Sequence, residues 1–528
     1  MENSMQSVMK HNFSQVPRAD IQRSSFDRSS GFKTTIDGGY LYPFFCDEVL
    51  PGDTFNLQTT GFCRMATPLY PIMDNLFMDT HYFFVPNRLL WDNWQRMMGE
   101  QDNPNDSTDF LVPTRNTPPG GWDENSLGDY FGIPTKINNL PVNALPFRAY
   151  KLIWNEWFRD QNLQDSVSIQ KDDGPDIDEA NLLRRGKRHD YFTSCLPWPQ
   201  KGDSVDIPIG SSAPVTATDP NVWLTGQTSG NSDSLYATTT DAPYIDVGIG
   251  SSMTEGEILS PDGLVADLSN ATAATINQLR QAFQVQKMYE RDARGGTRYI
   301  EVIKAHFGVT SPDARLQRPE FLGGNSTPIN IHQVAQTSDL DSVGGQGTVG
   351  QLGAFGTAAG RQGGFTKSFV EHGFVIGLVS VRADLTYQQG LNRMWSRRDR
   401  LDYYWPALAH IGEQAVLNKE IYALGADVPG SDDTVFGYQE RFAEYRYKPS
   451  TITGLFRSNA DQTLDAWHLS QDFTGIPVLS ANWIQDNPPI DRVVATPDEP
   501  NFICDFYHKL ICARPMPMYG VPGNIDRF

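Results

Sequence analysis

Apolar and polar positions alternate along several stretches of the chain, and the period identifies the elements. Tyr40 to Val49 is aromatic and β-branched, and Pro51-Gly52-Asp53 closes it with turn chemistry. Phe55, Leu57 and Thr59 alternate with Asn56, Gln58 and Thr60, a strand with one buried face. Leu76 to Val85 predicts another strand, ended by Pro86-Asn87, with a short helix after it around Leu89 to Met98. Near the far end, Phe502, Cys504, Phe506, Leu510 and Cys512 share one parity and predict a strong strand. Phe374 to Ala383 is apolar at nearly every position, which predicts a strand buried on both faces.

Helical periodicity is rarer. Phe147, Tyr150, Trp154, Trp157 and Phe158 fall on one face at ~100° per residue, as do Ile276, Leu279, Ala282, Phe283 and Tyr289. Leu408, Ile411, Ala415 and Tyr422 form a weaker third stripe. Each stripe predicts core packing.

Strands are thus expected near residues 35–85 and 370–515, with loops and helices between. Terminal segments that pair across hundreds of residues suit an antiparallel sandwich or jelly roll with large insertions. An evenly alternating α/β enzyme would look different. The expected fold is mainly β. The chain divides into an arm (1–33), a first core part with helical loops (34–201), an insertion (202–278) and a second core part (279–528). Gly344 to Gly364 is low in complexity and predicts a flexible loop.

Charge sharpens this division. The 528 residues carry a formal charge of −20, which argues against a free-standing nucleic-acid binder. From Gly202 to Gln278 there is no Lys or Arg, while ten Asp and Glu fall inside. Trp223, Tyr236, Tyr244 and Ile245 give that segment enough apolar content for an ordered, outward-facing subdomain with short strands. The arm is locally basic, with Lys10, Arg18, Arg23, Arg28 and Lys33; it reads as a solvated terminus or as an arm lying on an anionic surface.

Tests for chemistry come out empty. Gly345 to Gly350 matches G-x-G-x-x-G, but no strand precedes it and no helix opens within it, so the match is chance. The five cysteines lack metal or disulfide spacing and read as buried thiols in a reducing cytoplasm. No cofactor, metal or catalytic constellation emerges, no apolar run is long enough to span a membrane, and no secretory leader is visible. Asp172 to Glu179 reads as a solvated acidic loop that the following basic run, Arg184, Arg185, Lys187 and Arg188, neutralises locally. That basic run is also a candidate phosphate contact. Arg393, Arg397, Arg398 and Arg400, near Trp395, suit single-stranded nucleic acid or, equally, a subunit interface. The nucleic-acid candidates are Arg18, Arg23, Arg28, Arg184, Arg185, Lys187, Arg188, Arg397 and Arg398.

Longer blocks carry a family likeness. Ser24 to Ser29 (SSFDRS), Leu50 to Phe55 (LPGDTF), Pro71 to Phe77 (PIMDNLF), Trp154 to Leu163 (WNEWFRDQNL), Glu290 to Tyr299 (ERDARGGTRY), Tyr387 to Gly390 (YQQG) and Ala513 to Gly520 (ARPMPMYG) occur in this order. With them the chain resembles the major capsid proteins of microviruses, in the gokushovirus branch, from about Phe13 to Phe528. The likeness lapses mainly over Ser211 to Asn270.

The resemblance implies a single eight-stranded viral jelly roll with long insertions. It implies sixty copies in a small icosahedral T=1 shell around circular single-stranded DNA, reached through pentameric intermediates. It also implies a small basic DNA-binding partner, a bacterial host with its receptor, and no catalytic residues. The acidic segment is then the counterpart of the branch's surface protrusion and a candidate for host attachment. A lectin-like, carbohydrate-binding jelly roll is the rival that aromatic content and β pattern leave open.

Overall fold

A computed structural model describes residues 22–199, 276–296, 299–308, 317–337 and 349–519, with residue 201 and six short strands between 215 and 266. The chain forms two compact units, one of Met1–Pro199 with Ser311–Phe528 and one of Gln200–Thr310.

The first unit is built on one curled antiparallel sheet of nine strands. These are β1 (Ser24–Asp27), β2 (Ser30–Ile36), β3 (Tyr42–Val49), β4 (Thr54–Met65), β5 (Leu76–Pro86), β6 (Glu320–Ala335), β7 (Leu352–Ser368), β8 (Gly373–Ala383) and β9 (Phe502–Arg514). Along the sheet the order is β1, β9, β4, β7, β6, β5, β8, β3, with β2 also on β9. β1 pairs with residues 511–514 and β2 with 502–508, so these two strands share one place beside β9. β6 is the hinge of the curl: its first half pairs with β5 and its second with β7. The result is the expected mainly β, jelly-roll-type sandwich with long insertions.

The curl places the two halves of the sheet face to face. Phe44 of β3 meets Phe506 of β9, ring centroids 4.8 Å apart, and Tyr82 of β5 at 5.6 Å. Phe55, Leu57 and Thr59 are fully buried, as the period of two demands. β8 is buried on both faces for two separate reasons. Val375, Val379 and Val381 join the core inside the sheet. Phe374, Ile376 and Leu378 join a second cluster outside it, under the helix α1 (Leu145–Ile153) with its Phe147 and Tyr150.

Five expectations need correction. The glycine-rich stretch is not a loop over its later part, because Leu352 onward is strand β7. Its small residues are what the site requires: a Cβ on Gly356 would sit 2.8 Å from Ile331 Cδ1 and 3.0 Å from Met65 Cβ. Gly363 and Gly364, with φ +87° and +158°, form the register shift against β4. Gly345 to Thr348 lie outside the described residues. Residues 24–33 of the arm are not a solvated terminus, because they pair with β9; residues 1–21 lie outside the described residues. The stripe at Leu408 is not a helix: Ile411 is exposed, and Glu413–Leu417 is a strand that buries Gln414 and Val416 at a period of two. The helix expected over Leu89 to Met98 shrinks to Trp94–Met97. Finally, Cys46 is exposed, while Cys63, Cys195, Cys504 and Cys512 are buried.

The second unit carries the short strands expected of the acidic segment, Trp223–Gly226, Ser232–Ala237, Ile245–Val247 and Leu259–Asp262 in one small sheet and Val215–Ala217 with Leu264–Ala266 in another. It extends to Thr310 and includes the helices α2 (Ile276–Gly295) and α3 (Tyr299–Phe307). A 2.7 Å contact between His306 Nε2 and Asp292 Oδ1 joins the helices. The α2 stripe does not bury all its members, since Phe283 is 61% exposed. Among the described residues no helix is long and apolar enough to cross a membrane.

Candidate assembly and nucleic-acid surfaces

The basic residues singled out in the sequence fall into three environments. The run Arg184 to Lys187 is part-buried and tied to its own subunit. Its backbone bridges Tyr40 on one side and Gln485 on the other. Arg184 stacks on the Tyr40 ring at 3.8 Å and donates to Asp486 O (3.0 Å) and Asn487 Oδ1 (2.9 Å). Arg185 donates to Asp79 Oδ2 and to Ser380 Oγ, each at 2.8 Å. Arg382 donates to the same Asp79 oxygen at 2.8 Å, and Ser326 to the other at 2.6 Å. Burial opposes the Asp79 charge, but Arg185, Ser326 and Arg382 outweigh it and hold the carboxyl below its usual range.

Lys187 lies over the Trp483 ring at 4.4 Å, and burial brings its ammonium down to about 8. Burial also pushes Asp486 up to about 6, against the pull of Arg185 and Lys187. Gly39 makes this crossing possible: its φ is +84°, and a Cβ there would lie 2.1 Å from Asp486 O. Arg185 therefore joins segment 181–188 to the sheet, while Arg184 and Lys187 join it to residues 483–487.

The expected local neutralisation between the acidic and basic runs does not occur, nor is the acidic run a solvated loop throughout. Asp176 is buried and accepts from Arg148 Nη2 at 2.5 Å and Nε at 3.1 Å. Asp178 pairs with Arg115 and Lys151. The partners come from α1 and the Thr114–Asn116 strand, which sequence spacing does not reveal.

The second environment is the strand margin. Arg23 donates to Gly52 O (2.6 Å) and Thr54 Oγ1 (3.0 Å), and Arg28 pairs with Asp47 at 2.5 Å. Arg18 lies outside the described residues. The third is outward. Arg188 is exposed, with Asp384 at 3.8 Å, and Arg398 is exposed.

Arg397 supports a surface strip. It pairs with Glu444 at 2.9 Å and stacks on Tyr445 at 4.4 Å. Beside it, Arg393 donates to Glu420 Oε1 at 3.0 Å, and Tyr191 donates to Oε2 at 2.9 Å. Burial raises the Glu420 carboxyl, and Arg393 opposes the rise. On this base, residues 391–411 run through three short 3-10 turns, with Trp405 Nε1 donating to Arg400 O at 3.0 Å. Trp395 is 71% exposed and Leu401 61%, and Met394, Tyr403, Tyr404, Trp405 and Ile411 are exposed with them. So many exposed large apolar side chains in one segment mark an interaction surface. In the sequence Trp395 stands out by its neighbouring arginines, and the run Tyr403-Tyr404-Trp405 is the signal for the rest of the strip.

Comparison with known proteins gives one consistent answer. The family described as "Capsid protein (F protein)" matches residues 14–524. Capsid protein VP1 of Bdellovibrio phage phiMH2K is 50% identical, with 98% of each chain covered. Capsid protein VP1 of Chlamydia phage 1 is 48% identical, again with 98% of each chain covered. Capsid protein VP1 of Spiroplasma virus 4 is 38% identical, with 97% of each covered.

Proposed function

The chain belongs to the phage capsid protein (F protein) family, so it is a structural virion component and not an enzyme, and on that premise we propose how it builds its particle. Sixty copies assemble, by way of pentamers, into a small icosahedral shell around circular single-stranded DNA. Assembly takes place in the cytoplasm of a bacterial host. Near end-to-end kinship with capsid proteins carries this reading.

The strip at 391–411 is the proposed subunit contact, because Trp, Tyr and Arg dominate protein interface cores. The charge of −20 is sorted: the acidic segment 202–278 faces out, and the arm 1–33 faces the lumen. A small basic viral protein neutralises the remaining phosphates. The acidic segment meets the host receptor.

Electron microscopy of the expressed chain, with nuclease digestion of the particles, tests the reading. Closed shells that protect single-stranded DNA are expected. A small oligomer retained on a glycan column would replace the capsid reading with the lectin-like one. Particles lacking residues 211–270 should assemble but fail to adsorb to host cells; normal adsorption would sink the attachment role.

A further inference from the structure

The outer face of β9, β4 and β7 carries exposed aromatic and basic side chains. Strand parity turns Ile503, Asp505, Tyr507 and Lys509 outward on β9 and leaves them exposed. Phe62 and Arg64 of β4 are exposed beside them, since Phe62 pairs with Asp505 and Arg64 with Ile503. On β7, Arg361 pairs with Thr60, which in turn pairs with Tyr507. Phe355 extends the same face and lies against His332 of β6, ring centroids 5.0 Å apart.

Two features stand out. Arg64, Arg361 and Lys509 are exposed, and among the described residues no carboxylate lies within ion-pair distance of any of them. The carboxylates on the face are Asp505, paired with Lys33 at 3.1 Å, and Asp27, whose oxygen is held by Ser29 Oγ. The face is therefore net positive on a chain of −20. In addition, the aromatic rings sit between the cations. Phe62 and Tyr507 are diagonal neighbours, a separation of ~7–8 Å in an antiparallel pair. Strand spacing puts Lys509 and Arg64 each about 12–14 Å from Arg361. That is about three to four stacked nucleotides of a single strand.

We propose that this sheet face is a binding platform for single-stranded nucleic acid. Arg64, Arg361 and Lys509 hold phosphates, and bases stack on Phe62, Tyr507 and Phe355. A flat β-surface with exposed rings among cations binds single strands without sequence preference, because every base offers a π-face. Arg23, Arg28, Arg184, Arg185 and Arg397 hold the subunit together, whereas on this face unpaired positive charge meets exposed aromatic surface. The proposal rests on the shell reading and names the surface that meets the genome.

The test is fluorescence anisotropy of a labelled oligothymidylate of about twenty nucleotides with the purified full chain, titrated from low to physiological salt. R64Q/R361Q should lower the slope of log affinity against log salt by about 1.4, at ~0.7 per phosphate contact. R64K/R361K should restore it, which separates lost charge from a lost fold. F62A/Y507A should weaken binding about tenfold or more with the slope kept. Equal affinity and slope in all variants, or no binding by the unaltered chain at low salt, overturns the platform. Neither result touches the shell reading, which stands or falls on particles and nuclease protection.

Discussion

His508 and Phe44 join the two halves of the curled sheet: His508 Nε2 donates to the Phe44 carbonyl at 3.0 Å. A carbonyl only accepts, so Nε2 carries the proton and Nδ1 of the neutral ring is left to accept. Thr59 Oγ1 lies 3.0 Å from Nδ1 and donates to it, and Tyr82 in turn donates to Thr59 at 2.6 Å. This buried chain runs through β5, β4, β9 and β3. Protonating His508 at Nδ1 would take away the acceptor for the Thr59 hydroxyl hydrogen inside the core.

Burial lowers the His508 ring to about 4, and the bond to Phe44 only partly offsets that. An unfolded histidine titrates near ~6.5, so the unfolded chain takes up the proton first. The stability that depends on the neutral ring is fully present above pH ~6.5 and is lost as pH falls towards 4. The effect is about 3 kcal/mol by pH 4, from ~1.4 kcal/mol per pH unit. Urea unfolding at a series of pH values should show this loss, and H508N should flatten the profile. A parallel profile in H508N would place the acid sensitivity elsewhere, with His81, also lowered to about 4 by burial, the next candidate.

Asp176 and Arg148 are each 1% exposed at the side chain and meet in a buried ion pair. D176N leaves the buried guanidinium with only the more distant and largely exposed Asp172 carboxylate, at 3.6 Å, in the outer core under β8. A loss of about 3–5 kcal/mol is expected, read as a fall in the thermal midpoint of the isolated subunit.

Trp395 stands out from the surface strip on a base fixed by the Arg393–Glu420 and Arg397–Glu444 pairs. W395A should leave the subunit's own melting temperature almost unchanged. Assembly should need at least about tenfold higher protein concentration in light scattering, as for an interface hot spot. A lowered subunit midpoint with normal assembly would assign Trp395 to the fold instead.

At Gly39 a methyl group has no room, because Asp486 O would lie 2.1 Å away and φ is +84°. G39A should cost about 2 kcal/mol or more, since both strain and a backbone clash oppose it. Hydrogen exchange should rise locally at Arg185 and Asp486, whose amides bond across this crossing.

Much of the sheet was legible because strands buried on one face write a period of two. Phe55, Leu57, Phe502, Cys504 and Phe506 show it plainly. β7 was illegible for a physical reason: Gly356 and Ala358 face the core, and their small size, dictated by Ile331, Met65 and the curl, removes the hydrophobic signal. The stripe at Leu408 misled because isolated apolar residues at helical spacing also occur on a surface made to be covered. Family-defining blocks survived in the sequence, but the use of each charge did not. Arg184 and Arg185 look like a phosphate-binding run until Asp79, Ser380 and Asn487 arrive from distant parts of the chain. Conversely, Arg64, Arg361 and Lys509 look unremarkable in sequence, and only strand register gathers them on one face.

β9 comes from residues 502–514, yet it lies between β4 and the pair β1 and β2, strands from near the other end of the chain. During synthesis those earlier strands leave the ribosome with no partner on that side until residues 502–514 have followed them. A truncated product therefore keeps an open sheet edge along β4 and lacks Phe506 and His508 from its interior. The sheet is thus completed by its latest-made strand: until β9 arrives, β1 and β2 have no place to pair and the core has no Phe506 between its two halves.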